Sequence, residues 1–168
     1  MPGLCIAPFR HKIVTPAMAH IRLGGDATVS LLTETAMVES GLTYVAQVVS
    51  GGTGPARGLW QMEPFTHDDI WATFLSDARM ASLRGAVLDL ASQWPARVSP
   101  LPGTLPYACA LARPKYYRAP GPLPAAEDPA APSRYRKSPS HTALGAGAPD
   151  GPHIPPFPRP LLASPPLL

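Results

Sequence analysis

From Leu31 to Thr43 the sequence runs in two adjacent rows at helical spacing. Leu31, Thr35, Val38 and Leu42 form one stripe, and Leu32, Ala36, Glu39 and Thr43 form the row beside it. The pattern predicts a helix over 27–46, with Asp26 as its N-cap after the Gly24-Gly25 break. Glu39 is out of keeping there, on the shoulder of a core-facing stripe, whereas Glu34 falls off the stripe and is expected in solvent. Upstream, residues 9–23 read as a helix that begins near Pro16 or is kinked by it. Downstream, the glycines and proline of residues 50–58 (SGGTGPARG) read as a loop, and LWQMEP as a short ordered turn. Thr66 is the predicted N-cap of a helix over 67–78, with Asp68 and Asp69 in its first turn. Residues 81–94 put Leu83, Val87 and Leu90 in helical register, and residues 105–118 form a last apolar helix damaged by Pro114. Strand-like alternation of useful length and internal repeats are both missing, so the class is mainly α.

Composition divides this pattern in two. Of 24 prolines, 19 lie from Pro95 onward, a density that prevents long regular helices. Residues up to about 112 read as globular, and the chain beyond becomes increasingly loop-like. Charge divides likewise: residues 1–112 carry seven Lys/Arg against eight Asp/Glu, and residues 113–168 carry seven against three. The excess of positive charge therefore belongs to the tail. Such a tail favours approach to polyanions, but no dense basic run with interleaved aromatics marks a specific nucleic-acid site. Cys5 and Cys109 match no metal or redox spacing. The N-terminal stretch lacks the order of a secretory signal, and no apolar run reaches the ~18 residues of a membrane span. The expectation is synthesis in the cytoplasm without a signal peptide.

Candidate chemistry rests on carboxylates. Asp68 and Asp69 read first as helix-terminal charges, with a catalytic or metal-binding role beside His67 as the alternative. Glu63 lies in the turn before Pro64, either at the surface or supporting a site. For Glu39 there are two readings. A carboxyl partly withdrawn from water has its charged form disfavoured, which suits a general acid. Alternatively it is a helix Glu reaching to solvent or capping a loop N–H.

The residues downstream of Glu39 weigh on that choice. Ser40 and Gly41 come next, and after a Gly-rich loop come Gly58, Leu59, Trp60 and Gln61, with Pro64 and Thr66 behind. This order, ESG and then GPARGLWQMEPFT, resembles the lytic transglycosylase and goose-type lysozyme family, and residues 27–80 in particular resemble small phage proteins of this kind. The resemblance implies a lysozyme-like helical domain over residues 9–146, with residues 147–168 as a Pro-rich disordered tail. It implies cleavage of the β-1,4 bond between N-acetylmuramic acid and N-acetylglucosamine, with Glu39 acting first as acid and then as base. A single carboxylate suffices there because the sugar's own 6-hydroxyl attacks, whereas ordinary glycosidases need a pair. Substrate contacts would fall to Ser40, Gly58, Trp60, Gln61 and Tyr107, with Trp60 either a stacking face or, the favoured reading, a core anchor. No metal or cofactor is implied.

Departures from the family pattern lie downstream. Thr104 stands where related phage proteins tend to carry Asn, Pro106 and Pro114 interrupt a helix that should be continuous, and SRYRKSPSHTALGAG is an altered form of a family segment. The last residues look like a frame-shifted or unselected extension, or else a proline-rich linker. The expected partner is the glycan strand of peptidoglycan, reached as part of a phage particle beside other virion proteins or through a holin. Neither nucleic acid nor a membrane span is expected. Three alternatives stay open: a hydrolytic lysozyme, a non-catalytic virion protein that keeps the fold, and a degraded frame with no stable fold.

Overall fold

The computed structural model describes residues 3–91, 101–118 and 123, and in it helix α3 (Asp26–Ser40) packs against the N-terminal helical segment and the last helix. Gly25 takes its N-cap position, so Asp26 stands in the first turn as a favourable charge rather than as the expected cap. All nine residues from Thr28 to Ala36 are buried, so the helix is covered on every side rather than along one stripe. This reverses the expectation for Glu34, which is 8% exposed. Polar side chains inside such a helix must find partners, and several do so visibly. Thr33 and Thr35 donate to the carbonyls of Val29 and Leu31, each at 2.7 Å. The Thr35 hydroxyl also meets the Tyr116 phenol at 3.0 Å, and the Ser30 hydroxyl accepts from Arg10 at 3.1 Å. Leu31 and Leu32 are fully buried, each worth about 1.5–3 kcal/mol.

The cover comes first from the N-terminal segment, α-helical over α1 (Ile6–Phe9), π-helical over Arg10–Val14 and α-helical again over α2 (Thr15–His20). Pro16 neither starts nor breaks it. It stands in the first turn of α2, and the wider π turn just before it lets the helical path continue past a residue with no N–H. Phe9, Val14, Ala17, Met18 and Ile21 face the core.

Helix α3 ends at Ser40, well short of the expected residue 46. The chain then forms an antiparallel hairpin, β1 (Ala46–Val49) with β2 (Gly52–Arg57), in place of the expected loop. Ser50 and Gly51 make a two-residue turn, with Gly51 at φ 86°. The hairpin has no core-facing alternation to read. Val48 and Val49 are exposed, and of β2 only Ala56 is buried.

Helix α4 (Pro64–Asp69) follows, with Glu63 at the N-cap position and Pro64 at the first helical one. Thr66 is thus buried inside the first turn rather than serving as N-cap. The helical path widens to π geometry over Ile70–Leu75, and Asp77 caps a short 3₁₀ turn (Ala78–Met80) leading into α5 (Ala81–Ala91). The expected extension of α5 to residue 94 lies outside the described residues. Helix α6 (Leu105–Tyr117) is continuous, contrary to the expected interruption. Pro106 occupies the first turn, where an N–H would have no intrahelical partner, while Pro114 lies inside the helix and forfeits the bond to the Ala110 carbonyl, yet the helix runs on to Tyr117. Tyr107, Cys109, Leu111 and Tyr116 of α6 join Leu31, Leu32 and Ala36 of α3 in one hydrophobic cluster. Among the described residues the protein is mostly helical, with one small two-stranded sheet. The 133–147 segment and the 147–168 tail lie outside the described residues.

Candidate functional site

Gly41 ends α3 in the left-handed conformation, at φ 58°, and its N–H returns to the Met37 carbonyl at 2.8 Å. Leu42 is also left-handed, at φ 53°, which turns the chain sharply and tucks its side chain into the core. The N–H groups of Thr43 and Tyr44 both donate to the Ser40 carbonyl, at 3.0 and 3.2 Å. Ser40 is buried, and its hydroxyl donates to the Ala36 carbonyl at 2.8 Å.

Glu39 stands in the last turn of this helix and is exposed, not partly withdrawn from water as its row position suggested. The row is buried through Ala36 and leaves the core just before Glu39. A carboxylate at this end faces the negative pole of the helix, a placement that costs about 0.3–1 kcal/mol.

The hairpin returns the chain to this helix end. Gly58 donates its N–H to the Val45 carbonyl at 2.8 Å, and the Gln61 amide nitrogen reaches the carbonyls of Gly58 at 2.9 Å and Tyr44 at 3.3 Å. Arg57 and Met62 exchange both backbone bonds at 2.9 Å, closing the turn between them. ESG and GLWQ, nineteen residues apart between Glu39 and Gly58, thus meet through the 44–45 backbone. Gly58 is required twice over: its φ is 72°, and a Cβ would lie 2.7 Å from the Leu101 carbonyl oxygen. The chain that passes close to Gly58 is therefore the protein's own backbone. Trp60 is 4% exposed, lies tilted against Phe9 with ring centroids 5.6 Å apart, and donates to the Leu32 carbonyl at 2.9 Å. Of its two readings, the core anchor is the one realised.

A second polar group joins α4 to α6. His67 Nδ1 lies 2.9 Å from Asp68 Oδ1, and its Nε2 lies 2.9 Å from the Tyr107 hydroxyl, which also receives the Trp71 N–H at 3.2 Å. Burial pushes the Tyr107 phenol above its ordinary pKa. Beside it, Asp69 pairs with Arg118 at 2.7 Å, tying the same two segments together. The sequence marks His67, Asp68 and Tyr107 separately, but not Trp71 or the connection among them. The i, i+4 spacing of His67 and Trp71 is the available signal, since it places both on one helix face.

Among the described residues, no group of three or more His, Cys, Asp or Glu side chains could hold a metal ion, and no helix is long and apolar enough to cross a membrane. Comparison with protein-family models, with curated proteins and with solved structures finds no match to the chain.

Proposed function

We propose that the protein cleaves the β-1,4 bond between N-acetylmuramic acid and N-acetylglucosamine in peptidoglycan, as a lytic transglycosylase with Glu39 as its single acid/base. The observation that carries this reading is the meeting of the Glu39 helix end with the Gly58–Gln61 turn, through the bonds from Gly58 to Val45 and from Gln61 to Tyr44. The end of α3 that carries Glu39 and the turn that needs glycine at position 58 thus share the 44–45 stretch of backbone, in the motif order that the resemblance implies.

In the proposed reaction the Glu39 carboxylic acid gives its proton to the glycosidic oxygen as the C1–O bond breaks. Positive charge develops on the muramic ring carbon and ring oxygen. The Glu39 carboxylate then takes the proton of the C6 hydroxyl, whose oxygen attacks C1 and closes a 1,6-anhydro ring. The acid is regenerated without a second carboxylate. Gly58 and Trp60 belong to the scaffold of this site: one lets Leu101 approach, and the other pins the turn to α3. Gln61 holds the turn against residue 44.

The exposure of Glu39 favours a second reading, a non-catalytic virion protein that keeps the helical domain. Digestion of purified peptidoglycan by the wild type and by Glu39→Gln, with products weighed by mass spectrometry, separates the two. Anhydro-muropeptides from the wild type alone are expected. Hydrated reducing ends, also lost in the variant, would indicate a lysozyme on the same site. A folded wild type that releases nothing would leave the virion protein.

A further inference from the structure

Neither ring that the resemblance assigns to the substrate offers it a face. Trp60 is held in the core against Phe9, and Tyr107 is buried with its hydroxyl engaged by His67 and Trp71. Tyr44 is the opposite case. It is 55% exposed, and its N–H donates to the Ser40 carbonyl at 3.2 Å, closing one turn of chain directly after Glu39. Its own carbonyl accepts from the Gln61 amide at 3.3 Å. The Tyr44 backbone is therefore fastened to both halves of the proposed site, the end of α3 and the Gly58–Gln61 turn. Its side chain is not fastened: among the described residues, neither the ring nor the hydroxyl has a hydrogen bond or a ring contact. The other exposed rings stand on different elements, Phe65 on α4 and Tyr117 on α6, the latter 5.8 Å from Phe74. A ring left in water adds little to folding, but on a fastened backbone it is ready for a partner that covers it.

We propose that Tyr44 is a substrate-binding residue that stacks on one sugar of the glycan strand, a role that rests on the function proposed above. The chemistry of the ligand fits an open tyrosine. In a β-linked N-acetylglucosamine or N-acetylmuramic acid the ring substituents lie equatorial, so the axial C–H bonds make two apolar faces. Their slightly positive hydrogens meet the negative face of an aromatic ring, while the hydroxyl and acetamido groups stay at the rim in water. The phenol oxygen sits at the ring edge, so stacking leaves it wet too. A sugar held on Tyr44 keeps the strand at the helix end that bears Glu39.

The test separates binding from cleavage. The full chain carrying Glu39→Gln, which lacks the proposed acid, is pelleted with purified insoluble peptidoglycan in high salt, which screens the basic tail. Tyr44→Phe keeps the ring without its hydroxyl, Tyr44→Ala removes the ring, and Tyr44→Leu keeps apolar bulk without a ring face. Leu88→Ala, which trims an exposed side chain on α5, is the control, and thermal melts check that each variant folds. Tyr44→Phe is expected to bind within about threefold of its parent, and Tyr44→Ala and Tyr44→Leu about fivefold to twentyfold more weakly. Leu88→Ala should bind as its parent does. In the cleaving chain the same Tyr44 substitutions should raise KM and leave kcat little changed. Undiminished binding by Tyr44→Ala, or an equal loss in Tyr44→Phe, overturns the stacking role while wild-type cleavage stands. A folded wild type that binds through Tyr44 but releases no product overturns the cleaving reading and leaves Tyr44 as a glycan contact. A folded parent that does not pellet overturns the stacking role outright.

Discussion

Replacing Gly58 by Ala should destabilise the protein for two separable reasons. The first is conformational: at φ 72° an L-residue is disfavoured by about 1–2 kcal/mol. The second is steric, since the new Cβ would lie 2.7 Å from the Leu101 carbonyl oxygen and 3.3 Å from its carbon. Forcing atoms into a packed site typically costs about 1–3 kcal/mol. Together they predict a loss of about 2–5 kcal/mol, a large part of the stability of an ordinary domain. Gly41→Ala is the control, because Gly41 has a similar φ of 58° and nothing within 4 Å of its would-be Cβ. It should lose only the conformational share, about 1–2 kcal/mol. Restriction of the unfolded chain by the added methyl group acts alike in both variants and cancels from the comparison. Urea unfolding followed by circular dichroism measures both, and an unchanged slope would show that the unfolded states are comparable. The Gly58 variant should unfold at distinctly lower urea than the Gly41 variant. Coincident midpoints would refute the reasoning, because the Leu101 backbone would then be yielding without resistance.

Glu39→Gln should change stability by less than about 0.5 kcal/mol, because the residue is exposed at the end of α3; a clear loss in urea unfolding would mean the carboxylate is structural. A thiol reagent should modify Cys5 alone in the native protein and both cysteines after denaturation, since Cys5 is exposed, and burial pushes the Cys109 thiol far up. Hydrogen bonds from Arg79 lower Asp77 from 3.8 to about 2, so its contribution to stability is present above about pH 4 and is lost as pH falls through about 2. Asp77→Asn should flatten the acid limb of the stability curve in that window, as read from thermal melts across pH.

Local signals are legible where one residue type has one physical use. Asp26 after two glycines, Thr66 followed by two acids and the Leu83–Val87–Leu90 register all mark helices that form within a few residues of where they are expected. Helix α3 is legible too, but its orientation is not. A helix buried on every side has no polar face for a periodic pattern to reveal, so Glu34 looks solvated and Glu39 looks half-covered. Its end is overrun because Val45, Ala46 and Val48 continue an apolar run that belongs to a surface strand. The hairpin escapes notice for the converse reason: its residues are mostly exposed, glycine-rich and without alternation. The approach of the α3 end and the Gly58 turn to the same 44–45 backbone is hinted only by motif order. The link from His67 to Tyr107 spans 40 positions and could come only from tertiary packing.

The burial of α3 also sets how motion is distributed around the proposed site. Amides along Thr28–Ala36 can be reached by deuterium only when the surrounding helices separate, so their exchange should report the opening of the whole domain. The hairpin is held by two short strands and carries exposed valines, so its outer amides should exchange through small local openings. Glu39 is therefore mounted at the end of a slowly exchanging segment, and the turn that carries Gln61 follows directly on the hairpin. A polymer pressing on the hairpin can shift that side of the site while the helix bearing the carboxylate stays in place.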